Sequence, residues 1–344
     1  MSARPHPAVA RIRRAVRELL DAAPPGERYV AVSGGADSLA LAEAVAHVEH
    51  RRHSKVTALV VDHGLQEGSA KVAAIAAATA RGLGADDARV LTVDVSGPGG
   101  PEAAARRVRY AALRAELPDG ALLLLGHTLD DQAETVLLGL GRGSGARSLA
   151  GMPLLDPPLA RPLLNVPRAV TVEACAALGV SPWQDPHNTD PRFTRVRLRT
   201  EVLPLLDDVL AGGVPAALAR TAAQLREDSA ALDGLAADLL AAASRAPSDG
   251  DPARAGGTPD TGGPRPQLDV ETLASAPAAL RRRVLRRWLL DANVREVTDA
   301  HLRSVDALIG VWRGQGGTWL PGGLVAHRAH GRLTVNPPER SKGD

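Results

Sequence analysis

Two short runs in the first half of the chain hold residue types that handle phosphate and cations. Ser33-Gly34-Gly35-Ala36-Asp37-Ser38 places two glycines, two hydroxyls and a carboxylate within six residues. The glycines let backbone N–H groups approach an anion without a Cβ in the way. A helix beginning here would add unpaired N–H groups and a partial positive charge. Ser33 and Ser38 offer hydroxyls to phosphate, and Asp37 offers oxygen to a magnesium ion. No Gly-Lys-Ser/Thr follows, so this is not a Walker loop. The plainer alternative is a strand–turn–helix in which Asp and Ser merely cap the helix.

The second run is Gly126-His127-Thr128-Leu129-Asp130-Asp131-Gln132-Ala133-Glu134-Thr135. Thr128 fits a helix N-cap with Asp131 at the third helical position. Asp131 and Glu134 are three apart and Asp130 and Glu134 four apart, so each pair shares a helix face. Carboxylates in a first turn also suit the helix dipole, which is the bland explanation. Against it, three acids beside His127 form a costly cluster unless a metal or a cationic substrate sits among them.

The elements that must carry these runs alternate. Apolar strands are expected at 28–32, 56–61, 89–95 and 121–126, and helices at 39–50, 69–83, 102–117 and 130–140. Short apolar strands alternating with helices imply an α/β fold with a doubly wound parallel sheet covered on both faces. Ligands in such sheets bind beyond the carboxyl ends of the strands, where both runs lie. This catalytic domain is expected over 1–202. A helical segment follows over 203–246, then a Pro- and Gly-rich disordered linker over 247–266. A small C-terminal α+β unit is expected over 267–338, with helices at 270–290 and 298–312. Its hairpin, 317–320 with 324–335, turns at Pro321-Gly322-Gly323.

Composition narrows the classes. The single cysteine, Cys175, excludes an internal disulfide, a CxxC redox pair and a cysteine-rich metal site. It lies in an apolar run and reads as a small buried hydrophobe. No apolar stretch reaches the ~18–20 residues of a membrane helix, so the cytoplasm and no membrane partner are expected. Net charge is only +2, so distribution matters more than the sum. Residues 281–287 hold five arginines in seven and 192–199 hold four in eight. Either run is a nucleic-acid footprint or a solvated helix face.

The first run resembles the SGGxDS motif of the PP-loop ATP pyrophosphatases, whose fold is adenine nucleotide α-hydrolase-like. The second, followed by Leu137, Arg142-Gly143 and Gly151-Met152, looks like the GHHxDDQAET…RG…GM signature of tRNA(Ile)-lysidine synthetases. Val61-Asp62-His63-Gly64-Leu65 is similar to that family's VDHGL, and Arg161-Pro162-Leu163-Leu164 to its RPLL. Glu102, Ala105-Arg106, Arg109-Tyr110 and Leu113 resemble its ExxARxxRYxxL helix. Trp183, Asp185, Asn188, Asp190, Arg195, Arg197 and Arg199 track its WxxDxxNxDxxxxRNxxR. The resemblance covers 28–205 densely and the Leu320-Pro321-Gly322-Gly323 turn more loosely. Thr128 replaces the second His of the pattern, and Val196 stands where Asn is usual.

The resemblance implies that the wobble cytidine of a tRNA(Ile) with a CAU anticodon becomes lysidine, with ATP, Mg²⁺ and L-lysine consumed or required. It implies that Ser33, Gly34, Gly35, Ala36, Asp37 and Ser38 bind the nucleotide, with Asp62 and His63 near its adenosine. Asp37 would hold the magnesium, Asp131 and Glu134 would bind or deprotonate the lysine amine, and Arg195 would steady phosphates or the anticodon backbone. The C-terminal unit would contact tRNA, and a homodimer is compatible with all of this. The competing readings are a tRNA thiolase of the same superfamily and a non-catalytic nucleotide- and RNA-binding protein.

Overall fold

The computed structural model describes residues 4–64, 68–95, 101–143 (side chains from 104), 145–185, 189–245 and 267–337. The expected linker, 247–266, lies outside them. The chain divides into two compact units, residues 1–226 and 227–344.

The first unit is built on strands β1 (Arg28–Ala31), β2 (Val56–Asp62), β3 (Asp87–Thr92), β4 (Leu122–Leu124), β5 (Leu155–Asp156) and β6 (Leu159–Ala160). They form one sheet in the order β3-β2-β1-β4-β6-β5. Every pairing is parallel except the β5–β6 hairpin at the edge. The central strands are mostly apolar because both faces are covered. Val30, Val60, Leu124 and Ala160 pack into one core, and Tyr29, Leu59, Leu123 and Leu159 into another on the opposite face. Alternate residues of each strand feed the two cores, which makes the sheet doubly wound as expected.

Helices α1 (Pro7–Ala22), α2 (Ala36–His50), α3 (Ser69–Gly82) and α7 (Arg168–Ala177) contribute to the first core, and α4 (Pro101–Ala115) to the second. Helix α5 (Leu129–Gly141) follows β4, and the short α6 (Ala146–Leu149) packs back on it. Then come α8 (Thr194–Arg197), a π-helical turn (Leu198–Val202), α9 (Leu203–Val209) and α10 (Val214–Arg245), which runs into the second unit. The expected helical segment over 203–246 is therefore broken at Ala211-Gly212-Gly213, all at positive φ.

The second unit pairs β7 (Leu268–Asp269), β8 (Thr318–Leu320), β9 (Leu324–Ala329) and β10 (Arg332–Asn336) in the antiparallel order β7-β10-β9-β8. Helices α11 (Val270–Ala274), α12 (Ala278–Asp291) and α13 (Asp299–Gly310) cover one face around Trp288, which is 1% exposed. Two expectations fail here for local reasons. The helix over 270–290 splits before Pro277, whose ring excludes the residues ahead of it from helical geometry. The strand over 324–335 folds into β9 and β10 because His330 and Gly331 both take positive φ, the hairpin-turn conformation.

One close approach fixes α5 against α6. A Cβ at Gly139 would lie 2.0 Å from the Ser148 carbonyl oxygen, with backbone on both sides of the contact. Gly139→Ala is expected to lower unfolding free energy by about 1–3 kcal/mol, read from urea midpoints. An unchanged midpoint would show that α6 moves away without cost.

Candidate active site

β1 is flanked by β2 on one side and β4 on the other, so connections leave it in opposite directions and open a crevice at the carboxyl ends. The turn after β1 leads into α2 and the turn after β4 into α5. These turns abut: a Cβ at Gly126 would sit 3.1 Å from the Asp37 carbonyl carbon. Beyond them lies a cavity of about 910 Å³ whose wall includes Ser33, Gly35, Ala36, Asp37, Ser38, Asp62, His63, Asp131 and Arg195. Each of these ends or follows β1, β2 or β4, except Arg195, which reaches in from α8. Gly34 is buried directly behind the turn.

The phosphate turn is held by its own side chains. The Ser38 hydroxyl donates to the Gly35 carbonyl at 2.9 Å and accepts from the Ser33 N–H at 3.1 Å. Gly34 has φ +83 and accepts at its carbonyl from the Trp183 N–H at 2.9 Å. Helix α2 begins at Ala36, three residues before the expected start, so Asp37 lies in its first turn. The first N–H groups of a helix have no partner within it, which leaves this end suited to an anion.

The acidic helix departs most from expectation. Asp131 Oδ2 accepts from the Thr128 N–H and hydroxyl at 2.8 and 2.9 Å, so it caps α5 as its spacing indicated. Its Oδ1 accepts from Arg168 Nη2 at 2.8 Å. Arg168 Nε donates to Asp37 Oδ2 at 3.1 Å, and Thr171 donates to Asp37 Oδ1. Glu134, with no exposed side-chain surface, accepts from Arg199 Nε at 2.8 Å and Arg195 Nη1 at 3.4 Å. Three acids thus meet three guanidiniums from α7, α8 and the π-helical turn. The cation demanded by the cluster comes from the chain itself. Glu134 therefore lies behind its arginines rather than forming an open carboxylate pair with Asp131.

Burial pushes the Asp37 carboxyl above its ordinary range, opposed by Arg168 and the Thr171 hydrogen bond. Burial likewise raises Glu134 despite Arg199. At Asp131 burial acts upward, but Arg168 and the Thr128 N–H outweigh it and the carboxyl ends below its usual value. Asp131 is the member held most firmly as an anion. Cys175 is buried, and its thiol is pushed up to about 11, as a packed hydrophobe would be.

Arg168 had no motif to announce it; only its place just after Pro167 at a helix start sets it apart. Asp130, read as part of the acidic face, instead accepts from the Arg168 N–H at 2.8 Å and caps α7 from outside. Gln132 was not singled out either, yet its amide clasps the Met152 backbone at 2.9 and 2.8 Å. Arg106 and Arg109 line the cavity, with guanidiniums 5.1 and 5.9 Å from the Tyr110 ring centroid. Among the described residues no group of three or more His, Cys, Asp or Glu is placed to hold a metal. A magnesium ion bound by one carboxylate plus nucleotide phosphates needs no such group; Asp37 is the carboxylate on the phosphate turn, and its two oxygens are engaged here by Arg168 and Thr171.

Two cavity histidines keep a buried Nδ1 without a partner, His63 and His127. Asp62, before the first, accepts from the Gly64 N–H at 3.0 Å. Burial lowers the His63 imidazole, assisted by Arg109. Burial pushes His127 down to about 3, with Asp131 opposing and Arg161 assisting. Because the folded value is depressed, protonation favours the unfolded chain, and stability is lost as pH falls below about 6.5. His127→Asn should reduce that loss by up to about 1.4 kcal/mol per pH unit, measured from urea midpoints between pH 7 and 5. Identical slopes in parent and variant would contradict it.

Comparison with known proteins agrees with this geometry. A family model described as PP-loop domain matches residues 9–206, and one described as TilS substrate binding domain matches residues 268–334. A tRNA(Ile)-lysidine synthase from Nocardia farcinica is 58% identical over 96% of this chain and 99% of its own length. Another, from Mycobacterium tuberculosis, is 54% identical over 95% of this chain and 97% of its own. The U34-tRNA thiolase from Methanococcus maripaludis superposes with a TM-score of 0.52 at 19% identity, covering 64% of this chain and 80% of that one, a likeness of fold. With whole-length relatives at this identity and a PP-loop domain carrying the phosphate turn, the chain belongs to the tRNA(Ile)-lysidine synthase family.

Proposed function

We propose that the enzyme converts the wobble cytidine of tRNA(Ile) bearing a CAU anticodon to lysidine, using ATP and L-lysine. The observation that carries this is a single cavity in which Asp37, on the phosphate turn, and Asp131, on the acidic helix, are joined through Arg168. One carboxylate serves the nucleotide and the other faces the incoming amine.

In the first half-reaction the triphosphate rests on the 33–38 turn and the α2 N-terminus. Cytidine O2 attacks the α-phosphorus, and pyrophosphate leaves. Asp37 would hold Mg²⁺ against the phosphate oxygens, where the ion supplies charge neutralisation. Arg195 and Arg199, braced by Glu134, face the same charge. In the second half-reaction the lysine ε-nitrogen bonds to C2, the C2–O2 bond breaks, and AMP departs with that oxygen. Asp131, held as an anion at the cavity wall, can receive and orient the lysine ammonium, whose displaced proton passes to solvent as the nitrogen bonds to C2. The Arg168 guanidinium occupies the cationic place beside Asp131 until the amine competes for it.

A reaction joining tRNA, ATP and free lysine belongs in the cytoplasm. No single helix among the described residues is long and apolar enough to cross a membrane. The thiolase alternative loses its support in the site, because Cys175 is buried among Ala36 and Ala174 with a raised thiol.

Asp37→Asn keeps the shape but removes the charge. Magnesium-dependent pyrophosphate release should fall on the order of 10²–10³-fold, and an undiminished rate would take Asp37 out of the mechanism. Glu134→Gln should lower pyrophosphate release and lysine incorporation together, since it loosens both arginines. Radiolabelled lysine and pyrophosphate followed in one reaction test this. Loss of lysine incorporation alone would put Glu134 at the amine after all.

A further inference from the structure

Arg168 is one cation shared by two acids, and part of its fork is unspent. Nε donates to Asp37 Oδ2 at 3.1 Å and Nη2 to Asp131 Oδ1 at 2.8 Å, so the guanidinium reaches from the phosphate turn to the acidic helix. Nη1 has no acceptor among the described residues. The side chain is 23% exposed on the cavity wall, open to whatever enters. Its backbone is fixed, because the Arg168 N–H donates to Asp130 Oδ2 at the start of α7. Movement is thereby confined to the side chain.

The two acids are not equally served. Asp37 keeps the Thr171 hydroxyl if Arg168 leaves. At Asp131, Oδ2 keeps both Thr128 donors, but among the described residues Oδ1 has Arg168 as its one hydrogen-bonded cation. Arg199 Nη2 stands 3.7 Å from that oxygen, beyond hydrogen-bond reach, and its Nε is committed to Glu134 at 2.8 Å. Drawing Arg168 away from Asp131 leaves a largely buried anion short of a cation, which is costly until another arrives. A phosphate on the 33–38 turn is an anion placed to do the drawing. It lies at the Asp37 end of the fork, Nη1 is open to it, and guanidinium–phosphate hydrogen bonds are charge-assisted.

We infer that Arg168 is a latch between the two substrate sites: nucleotide phosphate on the turn takes its guanidinium from Asp131, and the uncovered carboxylate then admits the lysine ammonium. Nucleotide and lysine are thus positively coupled through one side chain, and lysine binds weakly until nucleotide is in place. By linkage each ligand tightens the other by the same factor. An amine seated before the nucleotide would have no activated carbon to attack, and the latch keeps its place filled until then. This inference rests on the proposed reaction for the identity of the amine.

The test is equilibrium dialysis of radiolabelled lysine against the full chain, with and without a non-hydrolysable ATP analogue, at constant magnesium and without tRNA. In the parent the analogue should tighten lysine binding roughly 5- to 150-fold. Arg168→Gln removes the competing cation, so without nucleotide it should bind lysine more tightly than the parent, and the analogue should no longer change it. A bridge that only holds the wall together predicts the reverse, because its loss would loosen the site and weaken lysine in both states. Arg168→Lys keeps the charge but lacks the fork that meets both acids, so coupling should fall there too. The latch is overturned by parental lysine binding that ignores the analogue, by weaker lysine binding in a folded Arg168→Gln, or by full coupling in Arg168→Lys. Thermal melting checks each fold, and Arg168→Lys decides the question if Arg168→Gln does not fold. If the parent binds no lysine in either state, the proposed reaction fails instead. The latch is then read from the analogue alone: Asp131→Asn frees the guanidinium and should bind the analogue more tightly than the parent, and equal or weaker binding overturns it.

Discussion

The first unit depends on an ionic cluster in which Asp37, Asp131 and Glu134 are matched by Arg168, Arg195 and Arg199. Three carboxylates brought together at the end of a sheet would repel one another strongly if left alone. Arginine suits the task because its planar fork can bridge two carboxylates at once and stays charged when half buried. Arg168 does this between α2 and α5, and Glu134 gathers the other two from beyond residue 190. The cluster joins chain segments that share no strand pairing, adding charge contacts at the active-site wall to the packing of their helices.

That arrangement explains what sequence reading reached and what it missed. The phosphate turn was legible as a strand–turn–helix because its signals are local: six consecutive residues with two glycines between an apolar strand and a helix. The capping role of Asp131 was legible for the same reason. Helical spacing also showed that Asp131 and Glu134 share a face. It carried no information on what that face meets, and the partner arginines lie 37 to 65 positions further along. Arg168 contacts Asp37 across 131 positions. A pattern in one chain cannot announce a pair separated by the whole fold.

The second unit repeats the lesson with the opposite sign. Five arginines in seven residues left open a nucleic-acid footprint or a solvated helix face, and the structure places several of them against Asp306, Asp233 and Asp291. Composition counted the cations correctly but could not count the anions folded against them. The β9–β10 turn escaped because apolar residues continue on both sides of His330-Gly331, and only the glycine marked the reversal. The β9–β10 hairpin at the centre of the four-stranded sheet follows from that one turn.

The hydrogen bond from the Trp183 amide to the Gly34 carbonyl has an optical meaning. It pins a half-exposed indole to the turn that receives phosphate, on the rim of the nucleotide cavity. Indole emission responds to nearby charge and to solvent. Of the four tryptophans, Trp288 is sealed in the second unit's core, and Trp312 and Trp319 lie beyond residue 227. The catalytic unit therefore carries a single tryptophan, tethered by its backbone to the glycine turn at the rim of the cavity.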